Sequence, residues 1–125
     1  IMNSKVFMVI RIIFALALLF FGANKLFHFM DPPPPPEEAM GYWTALTITK
    51  TMIVVAIVEI LAGLTLILNK YAALMMIILM SVSVNAILYH LALDSASIGM
   101  AVGLLLLNIL MLYNYKDSYK ELLKV

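Results

Sequence analysis

The stretch VFMVIRIIFALALLFFGANKLFHFMDPPPPPEEAMGYW, residues 6–43, decides the class of fold. Its first part, residues 6–30, is apolar and long enough to cross a hydrocarbon core about 30 Å thick, which takes about 20 residues of helix. It then ends in Asn24, Lys25 and His28 and meets five prolines. A passive anchor has no need of an amide, an amine and an imidazole in its last two turns, so these groups either lie beyond the lipid or face something inside the protein. The run also exceeds the roughly 7–15 residue core of a signal peptide and has no small-residue cleavage pattern behind it, so it is expected to stay in the protein.

Three further runs of similar character cover residues 51–68, 71–93 and 98–115. Hydrophobic residues make up 65% of the chain and charged ones 12%, against about 25% charged in soluble domains. The expectation is therefore an all-α, polytopic membrane protein of a single domain, residues 1–125, built as an antiparallel up-down four-helix transmembrane bundle. Asn69-Lys70 and the turn at 94–97 are too short to allow anything but antiparallel neighbours, and the Asp and Ser of the latter suit an N-cap. The one long connection, residues 31–50, is a proline-rich extracytoplasmic loop. Its prolines favour a polyproline II strut, and Glu37 and Glu38 open a short amphipathic helix through Met40, Tyr42, Trp43 and Leu46. Tyr42 and Trp43 read as interfacial anchors. Lys5, Arg11, Lys70, Lys116, Lys120 and Lys124 fall nearest one side against Lys25 and Lys50 on the other, which predicts both termini in the cytoplasm.

A net charge of +1 without a basic patch argues against nucleic acid as a partner. The absence of cysteine removes disulfides and thiolate chemistry, so any redox role depends on a bound cofactor or a partner. No nucleotide loop, catalytic triad or paired-carboxylate site marks the chain as an enzyme.

The polar residues at membrane depth carry the functional information, because an ionisable group at mid-bilayer costs at least about 2.5–3.5 kcal/mol. Counting about 1.5 Å per residue puts Arg11, Asn108 and Glu59 in an inner tier. There an Arg11–Glu59 ion pair helped by Asn108 is expected, with a proton-carrying Glu59 as the alternative. Asn24, His28, Asn85 and His90 form an outer tier near Lys25, and with Tyr42, Trp43 and Tyr89 they are expected to line a cavity mouth under an aromatic lid. Asn85 and His90 are about 140° apart on a helix, so only one of them is expected to aim directly inward. Haem held by His28 and His90 is disfavoured, since two histidines alone are weak evidence. No metal site is expected, as Met75, Met76 and Met80 read as apolar packing. Gly63, Gly99 and Gly103 suit close helix approach, the last two within GMAVG.

RIIFALALLFFGANKLFHFMDPPPPPEEA (11–39), VEILAGLTLIL (58–68) and VNAILYHLAL (84–93) together resemble the DoxX family of small bacterial membrane proteins. The likeness runs from Arg11 to the KDSYKELL tail, although TITKTMIVV departs from the Gly-Tyr turn and proline that lead into the second helix in many members. The resemblance implies association with a quinone-linked thiosulfate-oxidising system and membrane redox complexes. By position it picks out Arg11, Asn24, Lys25, His28, Glu59, Asn85 and His90.

The function expected on these grounds is a redox-associated subunit that binds quinone or a similar amphipathic molecule, with Asn and His donating to a carbonyl and Glu59 moving or balancing a proton. The alternatives are an accessory or scaffold subunit and, less favoured, a small-solute transporter. Expected partners are the lipid bilayer, a membrane or redox protein, and a second copy of the chain.

Overall fold

The computed structural model describes residues 3–31 and 34–124. Five α-helices follow one another: α1 (Ser4–Phe27), α2 (Met40–Ile48), α3 (Thr51–Leu68), α4 (Ala72–Leu93) and α5 (Gly99–Asn114). Short 3₁₀ turns sit at Glu37–Ala39, Ser95–Ser97 and Lys116–Tyr119, and no strand occurs among the described residues. Helices α1, α3 and α4 are long and apolar enough to cross a membrane, while α5 is apolar but shorter.

Local chemistry explains most of the boundaries. Asn3 accepts a hydrogen bond from the Lys5 backbone N–H at 2.8 Å and so caps the start of α1. Asn69 ends α3 in the left-handed conformation with φ 52°, which asparagine tolerates better than most residues. The expected polar cap at 94–97 does not form: a 3₁₀ turn leads directly into α5, whose N-cap is Ile98 with no side-chain cap bond. In the long connection Pro36 has φ −57° and ψ 154°, the polyproline II conformation, and the predicted short helix is the 3₁₀ turn at Glu37–Ala39 continued by α2. Pro32 and Pro33 of the expected strut lie outside the described residues.

Helix contacts run in the order α1–α3–α4–α5, the α1/α3 seam being the most extensive. That seam is tight because it is lined by small residues. A Cβ on Gly63 would lie 2.7 Å from Leu19 Cγ and 2.9 Å from the Ala15 carbonyl oxygen, and one on Gly22 would lie 2.8 Å from Ile60 Cγ1. Gly63 thus has the expected role, and Gly22 shares it. Gly99 and Gly103 do not: nothing would touch a Cβ at either within 4 Å. Gly103→Ala is accordingly expected to be neutral or to stabilise by up to about 1 kcal/mol through helix propensity, read as a thermal midpoint in detergent.

The packed core lies in the half of the molecule near the chain termini. Phe14, Ala15, Leu18, Leu66, Met76, Leu79 and Met111 meet there. The segment after α5 closes this end: Tyr115 donates its hydroxyl to Asn69 Oδ1 and Tyr119 donates to the Ala73 carbonyl, both at 2.7 Å. Burial, and then the neighbouring Tyr115, push the Tyr119 hydroxyl up to about 12, so it remains a donor at any physiological pH. Phe7 packs edge-to-face on Tyr115 with ring centres 5.7 Å apart, tying α1 to the end of α5. The opposite, loop-bearing half lacks such a core, and that is where the cavity lies.

A cavity at the loop end

A cavity of about 1070 Å³ opens in the loop-bearing half. Its walls are the first turns of α3 and α5, the second half of α4, and α2 with Pro34, Pro35 and Pro36 laid over them. Aliphatic and thioether side chains such as Met52, Val55, Val58, Val82 and Leu104 make up much of the lining, while a few polar groups are placed among them.

Lys25 and Glu59 lie together on its α1/α3 side. Lys25 Nζ is 2.7 Å from Glu59 Oε1, with the lysine side chain 27% exposed and the glutamate 6%. The contact is an ion pair by distance. The close seam makes the pair possible, since a Cβ on Gly22 would sit 3.2 Å from Glu59 Cβ. Lys25, one turn further along α1, therefore reaches back to the carboxylate.

The expected Arg11–Glu59 pair is thereby corrected. Arg11 is buried, but its Nη1 donates to the carbonyls of Leu66 and, at 3.2 Å, Ile67, at the C-terminus of α3. The last carbonyls of a helix lack intrahelical partners and carry its negative dipole end, so they attract a guanidinium without any carboxylate. Asn108 does not join Glu59 either. It is fully buried, donating to the Met76 carbonyl at 3.0 Å and accepting from Ser83 Oγ at 2.7 Å, which ties α5 to α4. Ser83 was not singled out by sequence, where a serine in an apolar run carries no mark.

The aromatic lid is present and specific in its contacts. Trp43 on α2 donates from Nε1 to the Tyr89 hydroxyl at 2.8 Å. Tyr42 stacks on the Tyr89 ring with centres 4.9 Å apart, and Tyr89 in turn meets His90 edge-on at 4.8 Å. Tyr42 and Trp43 thus anchor α2 to α4 and line the cavity.

Of the outer tier, Asn85 and His90 both border the cavity, Asn85 at an exposed position and His90 half-buried. Asn85 Nδ2 donates to the Ser81 carbonyl at 2.8 Å, and His90 Nδ1 lies 3.0 Å from the Asp94 carbonyl. Asn24 and His28 are not brought to the cavity. Asn24 accepts from the Met30 backbone N–H at 2.8 Å and donates to the Met30 carbonyl at 3.2 Å, which closes the turn leaving α1. His28 is the left-handed C-cap of α1, with φ 54°, and is exposed. Both positions follow from the end of α1, where the freed backbone groups take whatever polar partner is nearest.

The family model for DoxX matches residues 6–92, which spans α1 to α4 and stops short of α5 and the KDSYKELL tail. No curated protein and no solved structure matches the chain. The residues at the cavity that come from α1, α3 and α4 all lie within the matched span, and on that match the chain belongs to the DoxX family.

Proposed function

We propose that this protein is a redox-associated membrane subunit that holds the head group of a quinone or a similar amphipathic molecule in the loop-end cavity. The observation that carries this reading is the cavity itself, apolar over much of its wall, with the Lys25–Glu59 pair on one side and Trp43, Tyr89 and His90 on another. An aromatic head group gains stacking surface from the lid, and a tail gains the aliphatic wall between helices. Lys25 and Glu59 can balance charge or a proton beside the ligand. Extraction of gently purified protein with organic solvent tests the reading. A redox-active quinone enriched above the level of the surrounding lipid supports it, and a lipid-level yield rejects it.

In the same reading α5 is a fourth crossing. Its 16 residues give about 24 Å of helix, and the flanking 3₁₀ turns extend the path. Both termini then lie on the cytoplasmic side of a bacterial inner membrane and the proline-containing connection lies outside. The chain has no native cysteine, so Glu38→Cys and Lys120→Cys can be labelled cleanly. Opposite-face labelling is the expected result. Same-face labelling would mean that α5 does not cross.

A second reading, an accessory or scaffold subunit, is favoured by the open face of α5, where Gly99 and Gly103 leave room for the close approach of a helix from another protein or a second copy. A stable stoichiometric complex without any bound quinone would favour it.

A further inference from the structure

We propose that α2 is a movable lid over the loop-end cavity and that Tyr89, a single side chain on α4, is the latch that holds it down. This goes beyond the ligand reading above and does not depend on what fills the cavity.

The stretch MGYWTALTI, which forms α2, has nine residues. An isolated helix shorter than about 12–15 residues is marginal in water, so α2 must be held in place by its neighbours. Yet none of its residues is buried. Its anchorage is therefore confined to a few contacts.

Two of these lie at its ends. Ala39, just before the helix, is fully buried. Lys50, which joins α2 to α3, is left-handed with φ 61° and has no side-chain cap bond. A residue other than glycine keeps that conformation only where its surroundings hold it there. Between the two ends, among the described residues, the hydrogen bond and ring contacts that tie α2 to α4 all converge on Tyr89. Trp43 Nε1 donates to the Tyr89 hydroxyl at 2.8 Å, the Trp43 ring meets the Tyr89 ring edge-on at 5.4 Å, and Tyr42 stacks on it at 4.9 Å. With both rings against it, Tyr89 is buried although it lines the cavity.

A helix pinned at both ends and latched between them has one motion left to it, a roll about the line from Ala39 to Lys50. That roll lifts Tyr42 and Trp43 off Tyr89. Met40, Tyr42, Trp43 and Leu46 all line the cavity, so the same motion uncovers it. The Trp43–Tyr89 bond is the directed bond that has to break. Thr47 donates to the Trp43 carbonyl and Thr49 to the Ala45 carbonyl, both within the helix, and these bonds roll with it. The Thr49–Thr51 hydroxyl contact sits at the Lys50 joint itself. One hydrogen bond of this kind shifts an open–closed equilibrium about fivefold, enough to favour the closed lid and little enough to let it open.

The chain has no native cysteine, so cysteine accessibility tests the lid without any ligand. Ala86→Cys, on the α4 wall of the cavity, is treated in nanodiscs with a membrane-impermeant charged methanethiosulfonate. It is expected to react well below the rate of Ala96→Cys, at an exposed position of the turn before α5. Tyr89→Phe keeps the ring and removes only the hydroxyl, and should speed modification of Ala86→Cys about fivefold. Trp43→Phe should speed it at least as much. The two together should be no faster than Trp43→Phe alone, because both remove the same bond. Ala62→Cys, fully buried in the packed half, should stay unreactive throughout. An Ala86→Cys parent as reactive as Ala96→Cys overturns the lid. A rate unmoved by Tyr89→Phe, or additive effects in the double variant, overturns the latch. Faster modification of Ala62→Cys in Tyr89→Phe also overturns it, since the whole fold has then loosened. The expected rates with a lipid-level quinone yield leave the lid standing and reject the ligand reading alone.

Discussion

Lys25→Met is expected to destabilise the fold by about 3 kcal/mol, and Glu59→Gln by clearly less, although the two residues form one ion pair. The asymmetry comes from where each charge can go. Glu59 is 6% exposed and sits on a short side chain in the middle of α3, so without Lys25 its carboxylate has no solvated alternative. Lys25 is 27% exposed and near the end of α1, so without Glu59 its long side chain can turn toward the loop-bearing end and rehydrate. The double variant should be nearly as stable as Glu59→Gln alone, because the cost in the first case is an orphaned charge rather than a lost attraction. Reversible unfolding in mixed detergent would measure this. Equal costs for the two single variants, or additive costs in the double, would mean the pair is solvated in the membrane-embedded protein.

Gly63→Leu is expected to cost about 3 kcal/mol, toward the upper end of what overpacking a tight contact costs. The first added carbon already lies 2.9 Å from a backbone oxygen, that of Ala15, which cannot swing aside as a side-chain tip can. Separation of α1 from α3 should follow, and the Lys25–Glu59 contact should lengthen with it. Gly22→Leu is expected to act in the same direction, since its Cβ would approach the Ala56 carbonyl at 3.0 Å. Gly103→Leu provides the control at an open position. A Gly63 variant as stable as the Gly103 variant, in the same unfolding assay, would show that the seam is looser than the close approaches indicate.

Much of the helical layout could be read from the chain because it depends on the length and apolarity of each run and on the breakers between them. The expected segments at 51–68 and 71–93 differ from α3 and α4 by a residue at most. The polar pairings could not be read in the same way. Depth along a helix puts Glu59 within reach of more than one cation, and the choice between Arg11 and Lys25 depends on which faces meet across the seam. That in turn depends on Gly22 and Gly63, whose role appears only when the two helices are brought together. Arg11 had a second option that sequence does not display, the free carbonyls at the end of α3. Likewise Asn24 and His28 have the spacing of a site but serve the end of a helix. Tyr42 and Trp43 were legible as partners of Tyr89 because aromatic residues on a short helix beside a long loop have few places to go, and Tyr89 lies on the loop-end half of α4.

The central claim is that the loop-end cavity holds an amphipathic molecule, and native mass spectrometry of the wild type beside Ala86→Trp tests it most directly. Ala86 lines the cavity from α4 and belongs to neither the ion pair nor the aromatic lid, so an indole there fills space while leaving those residues unchanged. The account predicts a small molecule of defined mass retained by the wild type through detergent exchange and lost from Ala86→Trp with the fold intact. The same adduct on both proteins, or on neither, would contradict it.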